Sequence, residues 1–507
     1  MSARLGLDRK PLSGLGDHQD RQDDGTWRRI SFLFEMPTQP NRAGAVGKMI
    51  SSSLGGTDFL SRGLQGFHRE TAIALNLSWY AYNLLVTTIG TGLGRLWQRS
   101  EAYRRDADFW QGRFGRDFGY YGTVPSGRPR LWFHAASVGE VTGAMATIRC
   151  LRDRSPKAAI WLTVGTPTGH RFARQKLADV ADVRPFPLDF PWLVRDAIVS
   201  FRPDLFVALE GEFWPNLYWW LHRLEVPALL LNGRISERSA RNYRRAMGLF
   251  RPIFEHFRWL AMHSEDDRKR AVALGASEAR TLVLGSAKYD TLLARTVNSP
   301  AESWRRALNL QPDLPVIVGG SLRHSERLEL LQVFSELHLE NPKLVGIFAP
   351  RHLDRLSTMS DWLQAKGLAF QFSSHLLSGR EPRTAPVILV DQMGLLFDLY
   401  ALGDLIFCGG TLEPLGGHNI LEPAAWGKVV FYGPHVDRVR GEHESLAAHG
   451  AGVVVRDGRD LLTQWRNWLP RMMELKNRGD RAKAAVTSLG GVAARHVDLI
   501  LETLHVS

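Results

Sequence analysis

Acidic and basic side chains stand directly after three apolar runs of the sequence. Glu140 follows LWFHAA within SVGEV, Glu210 and Glu212 follow LFVAL, and Lys288 follows an apolar run within LGSAKYD. A carboxylate at the carboxyl end of a strand, close to a cleft, suits a general base. The structural alternatives are a Ser-x-x-Glu capping box for Glu140 and a carboxylate that complements a helix dipole for the EGE pair. A single lysine in such a place is weak evidence of a site by itself.

Two more segments are suited to binding an anion such as a phosphate. In IFAPRHLDR, Arg351 follows an apolar run, where a guanidinium group can hold a phosphate through two hydrogen bonds. In GGTLEPLGGHNILEPAAWGK (409–428), two glycine pairs and Asn419 precede Glu422 between two apolar runs. A strand, a glycine-rich turn and a short helix in this order present backbone N–H groups to a phosphate. Helix capping by Asn419 and Glu422 alone would not require two glycine pairs.

The elements that position these residues follow from a regular alternation of apolar and amphipathic segments after residue 130. The apolar runs of the first series are LWFHAA, AIWLTVG, LFVALEG, ALLLNG and WLAMHS, and those of the second are VIVGGS, LVGIFAP, VILVD, LIFCGG, VVFYGP and GVVVRDG. Strands that alternate with helices predict parallel sheets. The sequence therefore predicts an α/β fold with two doubly wound domains, 98–290 and 313–507, joined by a linker at 291–312. Ligands of such sheets bind beyond the carboxyl ends of the strands, so a cleft between the domains is expected.

The first hundred residues differ from the rest. Residues 1–70 are polar or rich in Gly and Ser with little periodicity, which predicts disorder. Residues 71–94 carry no charge and are long enough to span a bilayer, although Asn76 and Asn83 lower their hydropathy. We expect a membrane anchor or an interfacial helix over 71–97, with a buried core helix as the alternative.

Composition narrows the function classes. The net charge of +12, from 64 basic and 52 acidic residues, favours an anionic partner such as nucleic acid, anionic lipid or a phosphorylated substrate. The alternative is a basic surface that is simply solvated. Cys150 and Cys408 lie far apart, which suits a reducing compartment. Because no Walker A, CxxC-pair, HExxH, zinc-finger or RNP motif occurs, we expect no metal site, no cofactor and no nucleic-acid binding.

The motifs taken together resemble the 3-deoxy-D-manno-octulosonic acid (Kdo) transferase family. The resemblance covers about residues 72–500 and depends on SVGEV, TPTGHRFA, RPDLFVALEGEFWPNL, LNGRISERS, GSAKYD, APRH and GGHNILEPAAWGK, which occur in the family's order. It implies a GT-B fold, in which two Rossmann-like domains face a cleft, the last helix packs back on the first domain and an N-terminal helix anchors the protein to the membrane. It also implies a mechanism that needs no metal.

The resemblance implies roles for particular residues. Glu140 is expected to deprotonate the acceptor hydroxyl, while Glu212 and Lys288 stabilise the transition state. The residues expected to bind CMP are Pro350, Arg351, Met393, Gly394, Leu395, Asn419, Ile420, Leu421 and Glu422. The family usually has Glu where this chain has Leu395, so a backbone contact would survive there and a carboxylate contact would not.

The resemblance also implies the reaction and the place where it occurs. We expect transfer of Kdo from CMP-Kdo to a lipid A precursor in lipopolysaccharide biosynthesis, at the cytoplasmic side of the inner membrane, whose anionic surface attracts the basic protein. One alternative is a GT-B transferase that uses a UDP-sugar on another membrane lipid. Another is a two-lobed binding protein without catalysis, although such a protein needs no general base.

Overall fold

The computed structural model describes residues 77–115, 126–379 and 381–506. The expected disordered extension at 1–70 and residues 71–76 of the expected anchor lie outside this part of the chain. All described residues belong to one unit, Glu70–Ser507.

Seven parallel strands form the first sheet, in the order β3-β2-β1-β4-β5-β6-β7. The strands are β1 Arg130–Ala135, β2 Ala159–Val164, β3 Asp182–Pro185, β4 Leu205–Leu209, β5 Ala228–Gly233, β6 Phe257–Met262 and β7 Thr281–Val283. Leu131 of β1 lies between Ile160 of β2 and Leu205 of β4. The central strands are buried on both faces, which is why they are continuous apolar runs rather than alternating ones.

Helices cover both faces of this sheet. They are α1 Leu77–Trp97, α2 Glu101–Arg105, α3 Ala107–Arg113, α4 Val138–Arg154, α5 Pro167–Leu177, α6 Pro191–Phe201, α7 Pro215–Arg223, α8 Glu237–Arg245, α9 Met247–His256, α10 Glu265–Ala273 and α11 Lys288–Ala294. Five of them begin where a hydroxyl side chain accepts a hydrogen bond from the N–H three residues later. These capping residues are Ser100, Ser137, Thr166, Ser236 and Ser264.

The second sheet also has seven parallel strands, in the order β10-β11-β9-β8-β12-β13-β14. Its strands are β8 Val316–Leu322, β9 Val345–Pro350, β10 Phe370–Phe372, β11 Val387–Leu389, β12 Leu405–Cys408, β13 Val430–Tyr432 and β14 Gly452–Val454. The helices are α12 Ala301–Ala307, α13 Glu326–Glu340, α14 Leu356–Ala365, α15 Ser373–Leu377, α16 Leu396–Tyr400, α17 Leu421–Ala425, α18 Arg440–Ala448, α19 Gly458–Trp468, α20 Met472–Ser488 and α21 Val492–Val506. The predicted pair of doubly wound α/β domains is thus confirmed.

The strand orders locate the two places where a ligand is expected. The strands of each sheet extend to both sides of one switch point, between β1 and β4 in the first and between β8 and β12 in the second. The loops that leave neighbouring strands at such a point diverge to opposite faces, which opens a crevice at the carboxyl ends. Glu140 and the EGE segment follow β1 and β4, and the glycine-rich segment that starts at Gly409 follows β12.

The C-terminal helix α21 lies against the first sheet. Val497 and Ile500 belong to the same buried cluster as residues of β1 and β2, and the Thr147 hydroxyl of α4 lies 3.2 Å from Nδ1 of His496. In the described part of the chain, the helical stretch 458–505 is the only one that is long and apolar enough to cross a membrane by length and composition, and 44% of its most apolar window is buried.

Helix α1 packs one side against the first domain and exposes the other. The Tyr82 hydroxyl donates a hydrogen bond to Asp189 at 2.8 Å, and the Trp79 ring stacks on Trp219 of α7 at 4.8 Å. The opposite side presents apolar residues to the exterior. These are Tyr80, Leu84, Leu85 and Ile89, which are 46–68% exposed. The membrane anchor expected over 71–97 stays a prediction.

Candidate active site

Glu140 takes the capping-box position that its spacing suggested and also has the raised pKa that suits a general base. It lies in the first turn of α4, where its N–H donates to the capping hydroxyl of Ser137 at 3.4 Å and its Oε2 accepts from the Ala136 N–H at 2.6 Å. The side chain is 9% exposed. Burial, together with the neighbouring carboxylates of Glu212 and Glu210, raises its pKa to about 8. A carboxylate with such a pKa is a far stronger proton acceptor than an ordinary glutamate.

The EGE segment turns sharply after β4 and sends its two carboxylates to different partners. Glu210 has a φ of +58°, a left-handed conformation that a non-glycine residue adopts at a cost. Its Oε1 lies 2.5 Å from Nζ of Lys288. Glu212 instead accepts from the indole N–H of Trp214 at 2.9 Å and lies 3.9 Å from Nε2 of His134. Burial acts to raise the pKa of Glu212, but the contacts with His134 and Trp214 outweigh it and leave that pKa below its ordinary value.

Lys288 begins α11 and lies along the glycine face of α4. A Cβ atom added to Gly139 would lie 3.9 Å from Nζ of Lys288, and one added to Gly143 would lie 3.5 Å from its Cε. The lysine side chain therefore runs along this face of α4 at van der Waals distance. The structure thus brings the three residues predicted to be catalytic, Glu140, Glu212 and Lys288, to one edge of the first sheet.

Two residues that support this cluster were not assigned by the sequence analysis. Glu210, noted there only as part of EGE, is the ion-pair partner of Lys288. Asn232 at the end of β5 is buried with a φ of +54°, and its side chain accepts from the Ala287 N–H at 2.9 Å and donates to the Gly143 carbonyl at 3.3 Å. It thereby holds α11 against α4. The Asn-Gly pair within LNG was the available signal, since asparagine adopts a positive φ more readily than most residues.

A cavity of about 440 Å³ opens at the carboxyl ends of the strands of the second sheet. It is lined by Arg295, Ser321, Ala349, Pro350, Arg351, Leu353, Val390, Gln392, Met393, Gly394, Leu396, Phe397, His418, Asn419 and Glu422. Six of the nine residues predicted to bind CMP are among them. These are Pro350, Arg351, Met393, Gly394, Asn419 and Glu422.

The other three predicted residues face away from this cavity. Ile420 and Leu421 are fully buried in an apolar cluster of the second domain, so only their backbone is available to a ligand. Leu395 packs against a second apolar cluster around β8 and β9. The role of each as a binding residue stays a prediction, which for Ile420 and Leu421 is restricted by this packing to backbone contacts.

The glycine-rich segment wraps around a buried carboxylate. Gly410, Gly416 and Gly417 have φ values of +73°, +86° and +88°, and a Cβ added to Gly410 would lie 2.6 Å from the His418 ring. Glu326, 1% exposed, accepts hydrogen bonds from the N–H groups of residues 410, 411 and 412 at 2.6, 2.8 and 2.9 Å. The sequence analysis gave no role to GGSLRHSE, in which Glu326 lies. A buried glutamate under a glycine turn is a structural support that its sequence position does not reveal.

Positive charge surrounds the cavity. Arg295 stacks its guanidinium over the Phe397 ring at 3.7 Å. Burial, followed by the charges of Arg351, Arg323 and other neighbours, lowers the pKa of His418 to about 4. Since α17 has only five residues, these arginines contribute more to the positive potential than its helix dipole. The arrangement suits a phosphorylated ligand.

Helix α11 connects the two clusters. Lys288 at its start belongs to the carboxylate cluster, and Arg295, directly after its end, lines the cavity. Seven helical residues span about 10 Å, roughly the length of a sugar ring with its phosphate. The Tyr289 hydroxyl also donates to Glu442 of α18 at 2.9 Å, which joins α11 to the second domain. Within the described ranges, no group of three or more His, Cys, Asp or Glu residues is arranged to hold a metal ion.

The chain is similar in sequence to a known family and to several of its relatives. The family described as 3-Deoxy-D-manno-octulosonic-acid transferase (kdotransferase) matches residues 110–291. A 3-deoxy-D-manno-octulosonic acid transferase of Chlamydia pneumoniae is 30% identical over 65% of this chain and 75% of its own length. A bifunctional glycosyltransferase/methyltransferase of Fusobacterium nucleatum is 32% identical over 61% of this chain, which spans 48% of that longer protein.

Solved structures resemble the fold at low sequence identity. The UDP-GlcNAc 2-epimerase of Neisseria meningitidis, crystallised with UDP-GlcNAc, is 14% identical and superimposes with a TM-score of 0.51. The match covers 75% of this chain and 100% of the epimerase. At this identity the likeness concerns the two-domain architecture alone.

Proposed function

The chain belongs to the 3-deoxy-D-manno-octulosonic-acid transferase family, and we propose that it transfers Kdo from CMP-Kdo to a lipid A precursor in lipopolysaccharide biosynthesis. The observation that carries the proposal is that α11 connects a partly buried carboxylate–lysine cluster to a cationic cavity. A transferase needs this pair of sites, one for the attacking hydroxyl and one for the leaving phosphate.

The nucleotide binds in the second domain. Arg351 and Arg295 neutralise the phosphate of CMP, and Asn419 with Glu422 holds the polar groups of the nucleoside. Asn419 donates to Glu422 at 3.3 Å, so the two side chains are already oriented toward one another. Leu395, Ile420 and Leu421 contribute through their backbones only. Neutralisation of the phosphate makes CMP a better leaving group.

The acceptor reacts in the first domain. Its hydroxyl proton passes to the Glu140 carboxylate while the hydroxyl oxygen forms a bond to the anomeric carbon of Kdo. The bond from that carbon to the phosphate oxygen breaks, and CMP leaves with the electron pair. Glu212, which is ionised at neutral pH because of its lowered pKa, stabilises the positive charge that develops on the sugar. Lys288 offsets the negative charge near the reacting groups.

The protein attaches to the cytoplasmic face of the inner membrane through α1. The exposed apolar stripe formed by Tyr80, Leu84, Leu85 and Ile89 supports this attachment, since such a face gains free energy in the lipid boundary. Because the opposite face of α1 packs on the first domain, the helix lies along the membrane surface. The excess of 64 basic over 52 acidic residues adds attraction to anionic headgroups.

A GT-B transferase that uses a UDP-sugar on another membrane lipid is the second candidate, which the sequence left open. The two candidates differ in the base that the cavity accepts. Isothermal titration of CMP, UMP, CDP and UDP against the protein distinguishes them: binding of CMP at least about tenfold tighter than UMP supports the Kdo donor. Preference for a uridine nucleotide would contradict it.

The decisive experiment measures CMP release from CMP-Kdo by the full chain in detergent, with and without a tetra-acylated lipid A precursor. Acceptor-dependent release, with a matching increase in acceptor mass, supports the proposal. Release at the same rate without acceptor would indicate hydrolysis, and absence of release by folded protein that binds CMP would contradict the transfer. Glu302→Gln, a change of an exposed glutamate in α12, serves as a control for purification and detergent effects.

A further inference from the structure

Asp189 is a buried carboxylate outside the proposed reaction, and it holds the beginning of α7. It is 6% exposed, in the loop before α6, and accepts hydrogen bonds from the N–H groups of Asn216 and Leu217, each at 3.0 Å. Its backbone carbonyl accepts from the Asn216 side chain at 2.6 Å. The residue that precedes α7, Trp214, makes no side-chain capping bond of its own. Asp189 therefore supplies a cap that the local sequence of α7 lacks.

The same turn of α7 sets the position of Glu212. The Trp214 indole N–H donates to the Glu212 carboxylate at 2.9 Å, and the Tyr218 hydroxyl donates to the Glu212 backbone carbonyl at 3.3 Å. Both the side chain and the backbone of Glu212 are thus held by residues at the start of α7. A shift of this turn would displace the carboxylate.

Helix α1 provides the third donor to Asp189. The Tyr82 hydroxyl donates to the same carboxylate at 2.8 Å. Burial raises the pKa of Asp189 to about 7, while the hydrogen bonds from α7 and Tyr82 act to keep the carboxylate ionised. Two further contacts seat α1 here: Trp79 stacks on Trp219 of α7, and a Cβ added to Gly90 would lie 2.6 Å from the Phe190 ring. The close approach of α1 at Gly90 depends on the missing side chain.

We propose that Tyr82 and Asp189 are positioning residues that fix the first turn of α7, and with it Glu212, when α1 is seated on the first domain. This inference rests on the proposed role of Glu212 in Kdo transfer. Because the outer face of α1 is the one that contacts lipid, membrane attachment and the geometry of the active site are mechanically linked. A detached α1 leaves Asp189 without one of its three donors, and the turn loosens.

Tyr82→Phe tests the proposal by removal of a single hydroxyl, and Tyr103→Phe is its matched control. Tyr103 of α2 is 8% exposed, and its ring packs on Trp97 of α1, a contact that phenylalanine keeps. We expect Tyr82→Phe to lower kcat about tenfold with the acceptor KM and the CMP affinity unchanged, because a displaced catalytic group costs rate rather than binding. Tyr103→Phe should match the wild type. Wild-type kcat in Tyr82→Phe would overturn the proposal.

A double-variant cycle separates positioning from a general loss of stability. If Tyr82 acts through Glu212, Tyr82→Phe in a Glu212→Gln background causes no further loss of kcat. An additional tenfold loss in that background would show that Tyr82 acts elsewhere and would overturn the proposal.

A spectroscopic measurement keeps the inference testable if Kdo transfer itself is not observed. Protein labelled with 5-fluorotryptophan gives a ¹⁹F resonance for Trp214, assigned by its loss in Trp214→Phe. Tyr82→Phe and Asp189→Asn should both shift or broaden this resonance, and Tyr103→Phe should not. An unchanged Trp214 resonance in folded Tyr82→Phe protein would contradict the coupling whatever the reaction is. Absence of transfer together with a shifted resonance would contradict the proposed function alone.

Discussion

The pH dependence of transfer is the sharpest prediction from the geometry around Glu140. Burial and the two neighbouring carboxylates raise its pKa to about 8, and a base must be ionised to accept the hydroxyl proton. About one molecule in eleven is then active at pH 7 and about one in a hundred at pH 6, so kcat/KM should rise about tenfold per pH unit and level off above pH 8. Glu140→Gln should lower the alkaline plateau by about 10² to 10⁴.

The assay compares the wild type with Glu140→Gln between pH 6 and pH 9.5, with CMP release as the readout and Glu302→Gln as the control. The ratio of wild-type to variant kcat/KM should fall about tenfold for each unit that the pH drops below the plateau, because the wild-type base becomes protonated and the amide does not titrate. CMP affinity of the variant should remain that of the wild type, since Glu140 lies outside the cavity that is expected to hold the nucleotide.

Stability gives a second test of the same pKa without substrates. The folded-state pKa of about 8 lies above the ordinary value of 4.5, so folding disfavours the ionised form. The contribution of Glu140 is therefore retained at low pH and lost as the pH rises from 4.5 through 8. Wild-type protein should lose more free energy of unfolding over this window than Glu140→Gln. A constant activity ratio between pH 6 and 9, or equal stability slopes, would refute the assignment.

Three further variants probe the supports of the two clusters. Lys288→Met should lower kcat and move the rise in activity to higher pH, because loss of the cation raises the pKa of Glu140; a profile unshifted in pH would contradict their proximity. Glu326→Gln should cost about 1–3 kcal/mol of stability in chemical denaturation and weaken CMP binding, because one amide oxygen cannot accept three N–H bonds well. Gly410→Ala should abolish CMP binding in calorimetry, whereas Gly441→Ala, where a Cβ meets no atom within 4 Å, should not.

Much of the fold and of the candidate site followed from sequence patterns. Strands buried on both faces are continuous apolar runs, so the alternation with helices predicted two parallel sheets, and both are present. The resemblance implied that residues as distant as Arg351 and Asn419 bind one nucleotide, and the two residues line one cavity because parallel strands align their carboxyl ends. The family was also recognised correctly, because its motifs stand at these strand ends.

Other features depended on packing that no local pattern encodes. Ile420 and Leu421 lie within a predicted binding segment, yet their side chains belong to the core, since a turn of α17 directs them inward. The pairing of Lys288 with Glu210 depends on the left-handed conformation of Glu210 and on the packing that brings the start of α11 to the end of β4. Glu326 supports the glycine turn from 84 residues away.

The sequence by itself determined the order of the elements, the location of the reactive side chains at strand ends and the family, because these depend on short-range periodicity and on motif spacing. Tertiary structure decided which carboxylate meets the lysine, which segment caps α7 and how α1 contacts Asp189. The physical reason is that hydrogen bonds and burial act between groups close in space, and a pKa of about 8 for Glu140 arises only where three carboxylates from two strand ends share one desolvated edge.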